Sequence, residues 1–213
     1  MIKFNLKIIL FFTGCLSLNL YSQVSLGADV VSRYVWRGTD YGNSASVQPS
    51  LSFTHGSFEI GAWGSYALTA AGAGANENDL YATLTAGPLA LTVTDYYFPE
   101  NFDLFNYSDE DGIHILEISA ALNVEKFSIL GAVNFSGDPY NSLYTEIGYT
   151  AFEKEDLSVT VFGGLGTHIY IRDPNGDFNL VNLGMTASKG PIFTSYIINP
   201  EAETNFLVFG YSF

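Results

Sequence analysis

The chain is poor in cysteine, in basic residues and in long apolar runs, and each scarcity excludes a class of protein. It has one cysteine, Cys15, which lies in an N-terminal segment with the marks of a leader, so the domain that follows has neither disulfides nor a thiol nucleophile. Only 8 lysines and arginines stand against 22 acidic residues, for a formal net charge of −14. Such a chain repels phosphates, which excludes nucleic acid as a partner. No apolar stretch after residue 22 approaches the ~20 residues that a membrane helix needs. If this chain crosses a bilayer, it does so with strands.

What the sequence has instead is aromatic residues, 15% against 14% charged, and a two-residue rhythm. Lys3 and Lys7 precede the apolar run Ile8 to Leu18, too short to span as a helix and right for the core of a secretory signal. Cleavage after Ser22 gives a signal peptide, 1–22, and one domain, 23–213. Cys15 after Gly14 would permit lipidation, but Phe12 and Thr13 make a poor lipoprotein box. The rhythm begins almost at once: Val24, Leu26, Ala28, Val30, Tyr34 and Trp36 alternate with Ser25, Gly27, Asp29, Arg33 and Arg37. Period-two alternation is the signature of a strand with two unlike faces. It recurs at 46–54, 58–68, 79–86, 89–97, 113–122, 127–135, 142–150, 157–166, 178–188, 192–199 and 204–213, making twelve strands in all.

The connections alternate in length. Short turns fall at 55–57, 87–88, 123–126, 151–156 and 189–191; mostly longer loops fall at 38–44, 69–78, 98–112, 136–141, 167–177 and 200–203. This predicts an all-β, antiparallel, up-and-down transmembrane barrel with short inner turns and long outer loops. In hydrocarbon every backbone N–H and C=O needs a protein partner, and strands supply this only when the sheet closes. The apolar row then meets lipid, while Asp29, Arg33, Arg37, Glu59, Glu117 and Glu146 point inward. Asp95 breaks the rule. It shares a face with Leu89, Leu91 and Val93, which calls for a bulge or a position above the apolar band. A soluble sandwich or lipocalin-like barrel would reverse the faces and have to bury twelve apolar rows. The closing alternation of Leu207, Phe209, Tyr211 and Phe213 looks like an outer-membrane assembly signal, with Phe209, Tyr211 and Phe213 as its aromatic row.

Four short segments resemble the TorF-like porin family of small Gram-negative outer-membrane proteins. Val31-Ser32-Arg33-Tyr34-Val35-Trp36-Arg37-Gly38 is similar to its Ser-Asp-Tyr-x-x-Arg-Gly opening, and Gly61-Ala62-Trp63-Gly64-Ser65 to its Gly-x-Trp-x-Ser strand. Tyr96-Tyr97-Phe98-Pro99 and Tyr144-Thr145-Glu146-Ile147-Gly148 match its Tyr-rich and Tyr-x-Glu segments. The sequence departs from the pattern at Arg33, where the family has Asp, and at Glu100, where Gly is common. The resemblance implies a barrel and a bacterial outer-membrane location more than any particular solute.

The expected function is a narrow channel for passive diffusion of small hydrophilic solutes, tending toward cations, with no reaction and no cofactor. Twelve strands lie between barrels filled by side chains and those that hold an aqueous channel. Asp29, Arg33, Arg37, Glu59, Trp63, Tyr81, Glu117, Tyr144 and Glu146 are the expected pore-lining residues, and more than half of the acids fall in the presumed outer loops. Those acids would concentrate cations, or merely solvate the loops and bridge lipopolysaccharide through divalent ions. Tyr34, Trp36, Tyr66 and Tyr97 are expected in the aromatic girdle at the outer membrane interface. Partners would be outer-membrane lipid, lipopolysaccharide, the barrel-assembly machinery and the solutes themselves. The alternatives are a sealed structural or adhesive barrel acting through its outer loops, and a lipid-modifying enzyme. Of the three histidines, His114 lies on the face opposite Glu117 and Ser119, which argues against a triad there. Asp173 to Asp177 and Asp109 to Asp111 offer oxygen ligands but lack a full calcium loop, so no metal is assigned.

Overall fold

The structure, a computed structural model, describes residues 23–69, 74–99, 104–108, 113–172 and 176–213. The segment 1–22 expected as a signal peptide, with Cys15, lies outside these residues, as do Glu100, the acidic run 109–111 and residues 173–175. Twelve antiparallel strands close into one barrel. Its strands are β1 (Gln23–Val31), β4 (Ser46–His55), β5 (Phe58–Ala67), β6 (Glu77–Ala86), β7 (Leu89–Tyr97), β8 (His114–Val124), β9 (Phe127–Ser136), β10 (Leu143–Lys154), β11 (Leu157–Gly166), β12 (Asn179–Lys189), β13 (Ile192–Asn199) and β14 (Thr204–Ser212). Two short strands, β2 (Val35–Trp36) and β3 (Thr39–Asp40), pair only with each other. Each barrel strand pairs with its neighbour in sequence, and β14 returns to β1. Strand number and order agree with the alternation read from the sequence.

One rim is built from five two-residue turns, at 56–57, 87–88, 125–126, 155–156 and 190–191, whose first residue has positive φ in every case (Gly56, Gly87, Glu125, Glu155, Gly190). Such turns match the twist of the flanking strands. Four of the five are tighter than the sequence suggested, two of them by two residues or more, because β8 runs to Val124 and β10 to Lys154, the latter over a bulge between Thr150 and Phe152.

Alternation sets the two surfaces. Leu26, Leu80, Ile147, Leu207, Phe209 and Phe213 are exposed on the outside, whereas Tyr144, Glu117, Asn134 and Val208 are buried within. A slip of one residue would turn Glu117 out and Ile118 in, which fixes the register. Asp95 faces outward without any bulge in β7: it pairs with Leu80 on one side and Leu116 on the other, both in the outward row. Its charge is answered instead by His114, whose Nδ1 lies 2.7 Å from its Oδ1.

At the opposite rim, the loop 137–142 is organised around Asp138, which is 4% exposed. Its carboxylate accepts hydrogen bonds from Asn134 Nδ2 (2.9 Å), from the Ser142 N–H (2.9 Å) and from the Tyr140 N–H (3.0 Å). Burial alone would raise this carboxyl, but the bonds from Ser142, Asn134 and Tyr140 outweigh it and hold it below its ordinary value. A depressed folded value means that the stabilisation is complete above the ordinary Asp value of about 3.9 and is lost as pH falls through the lower folded value. Asp138→Asn is expected to cost about 1–3 kcal/mol near neutrality and to flatten the acid limb of stability. Denaturant unfolding of both proteins in detergent between pH 2 and 7 checks this.

Candidate functional site

The first strand of the wall ends sooner than the alternation in the sequence does. β1 ends at Val31, the Ser32 N–H makes a last bond to the Phe209 carbonyl (2.8 Å), and the chain then turns into the barrel. β2 and β3 form a hairpin whose two-residue turn is Arg37-Gly38, with φ of 49° and 77°. Positive φ at both positions is what a type I′ turn needs and what glycine tolerates best. Gly38 is also required for space: a Cβ there would sit 1.9 Å from the Val181 carbonyl oxygen of β12. The hairpin tip thus presses on the inner wall, where Asn199 Nδ2 donates to the Gly38 carbonyl at 3.2 Å. Its two legs are tied by an Arg33–Asp40 ion pair of 2.7 Å.

Arg37 is the centre of this arrangement. Its guanidinium meets Glu117 of β8 in a two-pronged contact, Nη1 to Oε2 at 2.5 Å and Nη2 to Oε1 at 2.9 Å, and Nη1 also donates to the Tyr170 hydroxyl at 2.6 Å. The side chains are 8% and 2% exposed. The Arg37 Cζ stands 4.2 Å from the ring centre of Trp36 and 4.4 Å from that of Tyr144, so the cation is sandwiched between π faces. Tyr96 donates to Glu117 Oε1 at 3.1 Å, which fills another lone pair of the acid. Burial works against the charge on Arg37, but the hydrogen bonds and charge of Glu117 outweigh it and hold the guanidinium above its ordinary value.

Around this centre the inner wall is acidic and aromatic. Tyr34 donates to Glu77 at 2.8 Å and packs against Trp63 and Tyr41. Asp79 lies beside Glu77 with its Oδ1 buried and unpartnered. Glu146 accepts from the Tyr144 hydroxyl (2.5 Å) and from Asn182 Nδ2 (2.9 Å), while Glu59 accepts from Thr54 (2.8 Å) and Tyr81 (3.1 Å). Two cavities flank the hairpin. One of about 440 Å³ is lined by Arg33, Tyr34, Trp36, Trp63, Asp79 and Tyr81. The other, of about 300 Å³, is lined by Gly38, Asp40, Tyr170, Arg172 and Glu201.

All nine residues expected to line the interior lie on the inner face or on the hairpin: Asp29, Arg33, Arg37, Glu59, Trp63, Tyr81, Glu117, Tyr144 and Glu146. The expected phasing fails at the first loop. Tyr34 and Trp36 do not join a lipid-facing girdle, because the chain leaves the wall before reaching them; Tyr34 is 8% exposed and Trp36 packs edge-on or tilted against Tyr41, Tyr96 and Tyr170 inside. Tyr66 and Tyr97 do face outward. Residues 38–44 are not an outer loop, and Glu77 and Asp79 are not loop acids, since β6 begins at Glu77 and both carboxyls are buried inside. Asn182, Tyr96 and Tyr170 went unnoticed in the sequence, although parity with Thr94 would have placed Tyr96 inside.

His114 lies outside and Glu117 inside, as the alternation predicted. Among the described residues no group of three or more His, Cys, Asp or Glu could hold a metal. Arg37→Met is expected to destabilise by about 3–5 kcal/mol, because Glu117 would stay buried without its cation, whereas Arg37→Met with Glu117→Leu should recover most of that loss. Urea unfolding of the three proteins in lipid vesicles reads the difference.

With this geometry in hand, comparison with known proteins gives one match. A family model described as a bacterial protein of unknown function (Gcw_chp) matches residues 21–210, from just before β1 to within β14. No curated protein and no solved structure matches. The match takes in the lumenal hairpin and all of the wall but the end of β14, and the chain therefore belongs to the Gcw_chp family.

Proposed function

We propose that this protein is a bacterial outer-membrane channel of low conductance, through which small hydrophilic solutes, cations in preference, pass by diffusion around a hairpin that narrows its own lumen. The closed barrel with an apolar outside and a polar inside supports the location, since that is how strands satisfy their backbone in hydrocarbon. The resemblance to TorF-like porins agrees with it.

The observation that carries the ion preference is the imbalance of charge on the inner wall. Asp29, Glu59 and Glu146 face inward without a Lys, Arg or His in ion-pair contact among the described residues, while both inward arginines are already paired; Glu77 and Asp79, buried side by side, cannot both carry a charge and add at most one more. Low-dielectric walls bearing one sign of charge raise the local concentration of the opposite ion. No reaction is assigned. Glu117 is held by Arg37, and both ring nitrogens of His114 are engaged, by Asp95 and by the Leu104 carbonyl.

A second reading, a sealed structural barrel, is favoured by the aromatic packing of Trp36, Tyr41, Tyr96, Tyr144 and Tyr170 across the lumen. Planar-bilayer recording separates the two. The refolded protein should give small single-channel steps whose reversal potential in a KCl gradient reports K⁺ over Cl⁻. Replacing 33–43 by a short Gly-Ser linker should enlarge the steps several-fold. Silence from both proteins would sink the channel and leave the sealed barrel.

A further inference from the structure

The outer wall has a feature that a channel does not use. Residues 104–107 of the loop after β7 fold down outside the barrel and are fastened there. His114 Nε2 bonds the Leu104 carbonyl at 2.9 Å, the Tyr107 hydroxyl donates to Asp95 Oδ2 at 2.9 Å, and the Tyr107 ring stacks on His114 at 4.0 Å. His114 and Tyr97 stack beneath it at 4.7 Å. The fastening therefore has three polar members on the outward face of β7, β8 and the loop, and it holds Leu104 and Phe105, 51% and 84% exposed, away from the barrel's own core.

Next to it runs a trough of about 770 Å³ on the outside of the barrel. Register places Leu26, Leu51, Ala62, Leu80 and Asp95 in one outward row across β1, β4, β5, β6 and β7. The small Ala62 between Leu51 and Leu80 forms the floor, and Leu104, Phe105 and Tyr107 overhang one end. A second hollow of about 430 Å³ shares Leu51, Ala62 and Leu80 and continues toward Val24 and Phe53, nearer the rim of two-residue turns. Together they make an elongated furrow whose outward row is apolar from Val24 and Phe53 through Leu51, Ala62 and Leu80, and turns polar at Asp95, His114 and Tyr107 at the loop end.

We propose that this furrow binds one acyl chain of a membrane lipid, with the chain along Ala62 and the lipid's polar linkage beside Tyr107 and Asp95. The proposal rests on the outer-membrane reading and adds a defined lipid site to it. The furrow opens directly onto the apolar surface that this reading sets against lipid, so an acyl chain is the solute already present there. Its shape also favours a chain over a second protein. A stable protein interface needs about 800 Å² of complementary surface per partner, whereas here Leu51 and Tyr66, 49% and 43% exposed, stand up as the sides of a channel over a small floor. The cluster of Asp95, His114 and Tyr107 suits the same occupant, because it offers hydrogen-bonding groups to the lipid's polar linkage at the loop end while the row beyond it stays apolar.

The test is photolabelling in phosphatidylethanolamine–phosphatidylglycerol vesicles that contain a diazirine-tailed phospholipid, with the labelled residues mapped by mass spectrometry. Label should concentrate on β4–β6 and 104–107. Ala62→Phe, which fills the floor from the lipid side, should lower that local labelling about tenfold, the change expected for ~1.4 kcal/mol of lost affinity, and leave labelling near Ile147 on another part of the wall unchanged. Leu80→Phe should act in the same direction and serves if Ala62→Phe fails to insert. Even labelling around the whole barrel would overturn the site alone. Crosslinks from this face to a second copy would overturn it in favour of a protein interface. A protein that stays unlabelled and does not float with the vesicles would overturn the membrane reading as well.

Discussion

The ion pair between Arg37 and Glu117 is the constraint on which the interior depends. A guanidinium and a carboxylate withdrawn from water are stable only when each has its partner and its remaining hydrogen bonds. Here Tyr170 and Tyr96 provide the hydrogen bonds, and Trp36 and Tyr144 add their ring faces. These partners come from β7, β8, β10 and the turn before β12, so one buried cation links distant sectors of the barrel. Because Arg37 sits at positive φ in a two-residue turn, the hairpin geometry and the ion pair support each other. Neither would hold its place alone, and the aromatic packing around them follows from where they put Trp36 and Tyr41.

The wall was readable because its signal is repetitive. Each strand repeats the same two-residue alternation, and each of the five tight turns carries Gly or a Glu in a left-handed conformation next to Ser, Pro, Lys or Asp, so errors in one segment are corrected by its neighbours. The lumen was not readable in that way. Tyr34 and Trp36 keep the phase of Val24 to Val30, and nothing in a periodic pattern announces that the chain leaves the sheet at Ser32; only Arg37-Gly38, a two-residue turn flanked by Trp36 and Thr39, hints at a separate hairpin. Glu77 and Asp79 resembled loop residues because acids beside an Ala-Gly-rich stretch usually are solvated. Glu77 is buried against Tyr34, a partner 43 positions away in the chain, and such a pairing leaves no local trace.

Asp95 shows the same limit from the outside. A carboxylate in an apolar row reads as an irregularity of the strand, and a bulge is the economical explanation. The strand is regular, and the irregularity lies in what covers it: His114 from the neighbouring strand and Tyr107 from the intervening loop give the carboxylate hydrogen bonds where it stands. The inner wall and the outer wall thus handle charge by one rule, that a carboxylate removed from water is given hydrogen-bond donors, with the buried Asp79 Oδ1 as an exception. They differ in supply. Outside, a single acid is matched by a histidine, while inside the acids exceed the arginines and are met mainly by tyrosine hydroxyls and amides, which leaves the lumen negative.

The hairpin also has a consequence for closure. β1 pairs with β4 from Gln23 to Val31, but with β14 only at Asp29, Val30 and Val31. Residues 32–45, which would have extended the wall beside Thr204 to Val208, are the ones that enter the lumen. The outer half of β14 therefore has β13 on one side and no ladder partner on the other. A barrel in hydrocarbon keeps its backbone satisfied by closing completely, so a short seam is tolerable only near the rim or where side chains cover it. Val31, Val208 and Ile197 do so from within, packing with Val35, Phe162, Phe193 and Phe206 behind the seam. Val35 belongs to the hairpin itself. The segment that shortens the seam thus helps to seal it, and the anchorage of Arg37 bears on the integrity of the wall as well as on the width of the lumen.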